Sequence, residues 1–192
     1  MSNISGARRE HRPSVGTQSG VRQRGFSLLE LLTTVTVAGI LLTIAVPSFF
    51  SVTRNSHAVT NANELVSALM IARSEAIRRG SRVTVCRSAD SATCGGTWAN
   101  GWIVFRDDAA TDATDPPVVG QVLRVWGPPT GTPAITNGAN WIRFMPRGNA
   151  RSTSGTMPVT FRIAVQGCSG QQARDVEINA VGRATASKVN CP

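Results

Sequence analysis

The run from Phe26 to Phe50, FSLLELLTTVTVAGILLTIAVPSFF, constrains this 192-residue chain more than any other stretch. About twenty apolar or weakly polar residues at ~1.5 Å each make a helix of about 30 Å, the thickness of a bilayer's hydrocarbon core. Residues 1–25 are polar, rich in Gly and Ser, and hold five Arg and one Glu. They show no apolar periodicity and read as an unstructured leader. Cations on that flank keep the N-terminus cytoplasmic and send the rest of the chain across the membrane. One residue disturbs the run. Glu30 stands near its start, and an acid at such a position is costly unless it is paired or functional.

A cleaved secretory signal needs a shorter apolar core followed by a small-x-small site, and VPSFFSV is a poor one. A plain signal anchor fits the length and leaves Glu30 unexplained. Cleavage before the run, between Gly25 and Phe26, is the third reading. RGFSLLELL closely resembles the signal of type IV prepilins and pseudopilins. The resemblance implies that a membrane prepilin peptidase cuts after Gly25 and N-methylates Phe26. Glu30, the fifth residue counted from Phe26, falls where that family carries its hallmark acid, and Pro47 falls where pilins commonly carry a proline. In such assemblies the helices of successive subunits bundle. The new amine of one Phe26 would then lie beside the Glu30 of a neighbour, a pairing favoured in low dielectric.

The helix is expected to continue over 51–80 as an amphipathic segment. Ala58, Ala62, Leu65, Leu69, Ala72 and Ala76 recur at three- and four-residue steps, and Val66, Met70 and Ile77 widen that stripe. Pro47 is expected to bend the helix or free backbone carbonyls. Glu75 and Arg79 are spaced as a favourable helix pair, and Gly80 is placed to stop the helix. Residues 82–86, 101–107, 118–126, 141–145, 158–165 and 174–182 are β-rich, separated by Gly, Pro, Asn and Asp clusters. A long N-terminal helix packed on an antiparallel sheet is an α+β, type IV pilin-like arrangement. The expected organisation is a leader (1–25), a transmembrane and assembly helix (26–50), its amphipathic continuation (51–80) and a β-rich periplasmic domain (81–192).

ANELVSALMIARSEAIRRGSRVTVC (62–86), GTWANGWIVFRD (96–107) and FMPRGNA (144–150) resemble the FimT/FimU group of minor pilins, which share a domain with the GspH minor pseudopilins of type II secretion. The resemblance implies a minor pilin in the inner membrane that joins a type IV pilus and primes or caps assembly. Its partners would be the prepilin peptidase, other minor pilins and a major pilin, or pseudopilins in a type II secretion system.

Cysteines occur at 86, 94, 168 and 191. An even number in an exported chain suggests disulfides, with three pairings open. Cys86–Cys94 and Cys168–Cys191 are favoured because each closes a local segment. Zinc ligation is disfavoured because no C-x-x-C occurs and His11 and His57 lie far from the cysteines. Asp107, Asp108, Asp112 and Asp115 lack the EF-hand spacing and read as a solvated loop. No nucleophile–base or cofactor motif appears, so neither enzyme activity nor a cofactor is expected.

The C-terminal third is basic: Arg143, Arg147, Arg151, Arg162, Arg174, Arg183 and Lys188. Clustered cations bind phosphate backbones. In FimT members linked to natural transformation, a Gly-Arg-x-Arg motif near the C-terminus contacts DNA. Gly182 and Arg183 match it, Thr185 stands at the second Arg position, and Lys188 offers a nearby cation. DNA is therefore a further candidate partner.

Overall fold

The computed structural model describes residues 25–109, 115–136 and 138–192. Residues 1–24 of the leader, with His11, and the loop residue Asp112 lie outside the described residues. The chain forms two units, Met1–Leu42 and Thr43–Pro192.

Helix α1 is assigned over Leu28–Arg79. It starts at Ser27, whose hydroxyl accepts from the Glu30 backbone N–H at 3.1 Å, an N-cap that satisfies one of the otherwise unpaired N–H groups of the first turn. The threonines of the apolar run are compatible with that environment because their hydroxyls bond back along the helix. Thr33 donates to the Glu30 carbonyl, Thr34 to Leu31 and Thr36 to Leu32. Pro47 lies inside α1 and contributes no N–H to its ladder. At the far end Gly80 adopts φ +59°, and the Ser81 N–H reaches back to the Ala76 carbonyl. This is the left-handed stop that Gly permits. Glu75 meets both Arg78 (2.6 Å) and Arg79 (2.5 Å). Its hydrogen bonds to Arg78 and then Arg79 lower its pKa below the ordinary carboxylate value.

The strands form two antiparallel sheets, whereas the sequence suggested one. The first has the order β3 (Val119–Trp126), β2 (Trp102–Asp107), β1 (Val83–Arg87), β5 (Trp141–Phe144), β6 (Ala150–Ser152). The second runs β4 (Pro133–Thr136), β7 (Val159–Val165), β8 (Ala173–Ile178), β9 (Ala184–Val189). Strands β4, β6 and β9 were not legible in sequence. They are short, or built from Ala, Ser and Thr, and lack the apolar alternation that marks a half-buried strand.

The main core lies between α1 and the inner faces of both sheets. Ala62, Leu65, Leu69, Ala72 and Ala76 meet Val83, Val85, Trp102, Val104, Ile142, Phe144, Phe161, Ile163, Val176 and Ile178. The alanines leave room for the large strand side chains, each contributing about 1.5–3 kcal/mol by burial. The flank differs from expectation: Met70 is 40% and Ile77 52% exposed. The alanine stripe is the centre of contact, and these two residues flank it, with Ile77 reaching the Gly148 turn. A second cluster, Cys86, Ile103, Phe105 and Trp141, covers the outer face of the first sheet.

Candidate functional site

The N-terminal candidates sit on the first unit. Gly25 has no atom within 4 Å of the position its Cβ would take, and Phe26 is 82% exposed. From Leu28 to Leu42 the large apolar side chains are 55–86% exposed. Exposed apolar stretches of this size mark interaction with a partner or a membrane, and helix α1, of which this is the start, is long and apolar enough to cross a membrane. Glu30 is exposed, and its carboxylate makes no hydrogen bond among the described residues.

The cysteines are paired as Cys86–Cys94 and Cys168–Cys191, with Cα separations of 5.6 and 5.8 Å. The first bridge fastens the 87–95 loop across the outer face of the first sheet. Asp90 stiffens that loop by accepting from the Ala92 and Thr93 N–H groups and from the Thr93 hydroxyl. The Thr93 bonds hold the Asp90 carboxyl far below the usual range. The second bridge joins the β7–β8 turn to the chain end after β9. That turn is docked on α1: Arg54 donates to the Gly167 carbonyl (3.1 Å), Gln172 to Ser51 (2.7 Å) and Arg174 to Asn55 (2.7 Å).

The acidic loop is not simply solvated. The Asp107 side chain is fully buried and pairs with equally buried Arg143 at 2.7 Å. Thr84 donates to the same carboxylate (2.6 Å), as do the Ala109 and Val118 N–H groups (3.0 and 3.1 Å). The Arg143 guanidinium also lies 4.7 Å from the Trp141 ring centroid and donates to the Asp115 carbonyl. This group anchors both ends of the 108–118 segment. Asp107 and Arg143 are 36 residues apart, so only strand register brings them together.

This removes Arg143 from the basic surface. Arg162 pairs with Asp175 at 2.7 Å, and Arg174 is held by Asn55. Arg147, Arg151, Arg183 and Lys188 remain exposed. Arg147 and Arg183 lie on turns that touch. A Cβ on Gly182 would overlap the Gly148 carbonyl oxygen, and Arg73 donates to that same oxygen at 3.1 Å. Gly148 and Gly182 both adopt positive φ, +82° and +78°, which L side chains enter only with strain. The sequence signal for this junction was a Gly beside an Arg at both places. Lys188 is not part of it, since five residues along a strand span ~17 Å. Thr185 is exposed beside it on β9.

Comparison with known proteins follows the same division. The family described as Type II transport protein GspH matches residues 61–182. The prokaryotic N-terminal methylation motif matches residues 21–46. No curated protein sequence matches the chain. Among solved structures, the type IV minor pilin FimU of Pseudomonas aeruginosa in space group P21 aligns with TM-score 0.52 and 20% identity, over 69% of this chain and 89% of that one. A second crystal form of FimU, in space group P65, aligns at TM-score 0.49 and 22% identity, over 67% and 90%. Helix, sheets, methylation motif and domain agree: the chain belongs to the GspH family and has the α+β fold of a type IV pilin.

Proposed function

We propose that this chain is a minor pilin that is cut after Gly25, N-methylated on Phe26, and built into a type IV pilus, where it primes or caps assembly with other minor pilins. The observation that carries this is the exposed apolar helix from Leu28 with, at its start, the Glu30 carboxylate, which has no partner among the described residues. Before processing, residues 26–50 span the inner membrane with the leader, 1–25, in the cytoplasm. Residues 51–80 continue the helix, and residues 81–192 form the periplasmic domain that makes specific contacts with neighbouring subunits. The chain is a structural subunit, and the prepilin peptidase is the enzyme that acts on it.

Two measurements test this. Gly25→Ala is expected to leave the full-length, unmethylated chain in membranes, read by mass spectrometry as an intact leader; normal trimming would remove the assigned site. Deleting the gene is expected to lower the number of surface pili, restored by the parent gene and not by the Gly25→Ala form. Undiminished piliation would overturn the priming role.

The matched family description favours a second reading, a minor pseudopilin of a type II secretion system. Neighbouring genes discriminate the two: secretion genes support the pseudopilin, other minor pilin genes the pilus. A third reading, DNA capture, is favoured by the meeting of the Arg147 and Arg183 turns through Gly148 and Gly182. Residues 54–192 would then bind duplex DNA with an affinity that falls steeply with salt, and Arg183→Ala would weaken it and flatten the salt slope by about one unit. Salt-insensitive binding, or no change in the variant, would sink this reading.

A further inference from the structure

The two disulfides differ in what surrounds them. Cys86 is fully buried among Ile103, Phe105 and Trp141, and its partner Cys94 is half-buried against the same cluster. Cys168 and Cys191 are both half-buried and belong to neither apolar cluster. Thiol–disulfide exchange needs a thiolate to approach a sulfur in line, so access decides which bridge is attacked.

What the second bridge holds is also distinctive. Strand β9 is an edge strand, registered on β8 from Ala184 opposite Ile178 to Val189 opposite Ala173. Thr185, Ala186, Ser187 and Lys188 are exposed, and of the strand only Ala184 packs on the core. Among the described residues no side chain from 184 to 192 makes a hydrogen bond. Beyond its backbone ladder and the Ala184 packing, β9 is tied among the described residues by the Cys191 N–H to the Gly170 carbonyl (2.8 Å) and by the bridge. The β7–β8 turn is different, because Arg54, Ser51 and Asn55 of α1 hold it independently.

From this asymmetry we infer that Cys168–Cys191 is a redox-addressable latch for β9, while Cys86–Cys94 is a structural bridge. A dithiol reductant transfers two electrons and two protons to the latch and is itself oxidised to a disulfide, leaving thiols at Cys168 and Cys191. Strand β9 then leaves the sheet, because an edge strand that buries almost nothing cannot offset the entropy of ordering it. The core between α1 and the sheets stays intact, and the freed edge of β8 becomes accessible. The inference does not depend on which assembly the subunit joins.

The test uses the full chain in detergent micelles, titrated with dithiothreitol. Differential alkylation read by mass spectrometry should label Cys168 and Cys191 before Cys86 and Cys94. Hydrogen exchange over 184–191 should then quicken by about 100-fold, the order expected for losing a loop constraint of this length. Exchange over Val83–Arg87 and Trp102–Asp107 should not change. The paired substitution Cys168→Ser with Cys191→Ser should give the same exchange pattern without reductant. Simultaneous opening of both bridges with exchange rising across β1 and β2 would overturn the latch, as would labelling in the reverse order or unchanged protection of β9 once its bridge is open.

Discussion

Asp107→Ala is expected to destabilise the β-rich unit by about 3–5 kcal/mol, because it removes the carboxylate that pairs with the buried Arg143 guanidinium. The pair has no exposure to water on either side. The Asp107 carboxylate also accepts from Thr84 and from the backbone at Ala109 and Val118, so its loss strands several donors at once. Against a typical total stability of about 5–15 kcal/mol, a loss of that size removes a large share of the folding free energy and lowers the unfolding midpoint accordingly. Urea unfolding of residues 54–192, followed by tryptophan fluorescence, measures it. Replacing both partners with apolar residues of similar size, Asp107→Leu with Arg143→Met, should recover most of the loss. A single-variant loss below about 1 kcal/mol would mean that the pair is solvated in solution, as exposed pairs are.

Glu30→Ala carries the largest expected functional effect. The proposed reading makes Glu30 the docking charge for a neighbouring subunit's Phe26 amine, and a buried amine without its partner costs several kcal/mol. At ~1.4 kcal/mol per decade, that is more than a tenfold loss of subunit from the filament. The variant should still insert and still be cut after Gly25, since the cleavage position precedes it. Immunoblots of sheared filaments against the membrane fraction read the outcome: processed subunit accumulates in membranes and is depleted from filaments. Incorporation at the parent level would remove the pairing from the assembly reaction and leave Glu30 as a helix-end residue near the bilayer interface.

Local signals carried much of the fold. The alanine and leucine stripe from Ala58 to Ala76 lies on the buried side of α1, because one helix face repeating every 3.6 residues is visible in any window of that length. Gly80 ends the helix for a reason equally local, the positive φ that it tolerates. The strands rich in Val, Ile, Phe and Trp were legible by alternation or by composition. Strand β9 was not: ATASKV has no buried face to write a pattern into the sequence. Met70 and Ile77 satisfied the helical period and still lie exposed, since periodicity gives the direction of a side chain and not how much of it a neighbour covers.

The site residues divide the same way. Gly25, Phe26 and Glu30 lie within six consecutive residues, and their relation is a matter of spacing along one helix start. The basic surface depends on long-range register. Arg143 and Arg162 counted toward the basic C-terminal third until strand pairing set Asp107 and Asp175 against them. Arg147 and Arg183, by contrast, are joined by two glycines whose close approach no local window could show.

The sequence by itself determined the membrane-length apolar helix, its acid, the cut site expected before it and the class of fold behind it, because each is written in neighbouring residues. Only the tertiary structure decided that the β-rich part is two sheets, that Asp107 is a buried anchor, which arginines remain on the surface, and that the bridge beside β9 lies outside both apolar clusters. Those depend on residues far apart in the chain meeting across strands, where burial and pairing act between positions that share no local pattern.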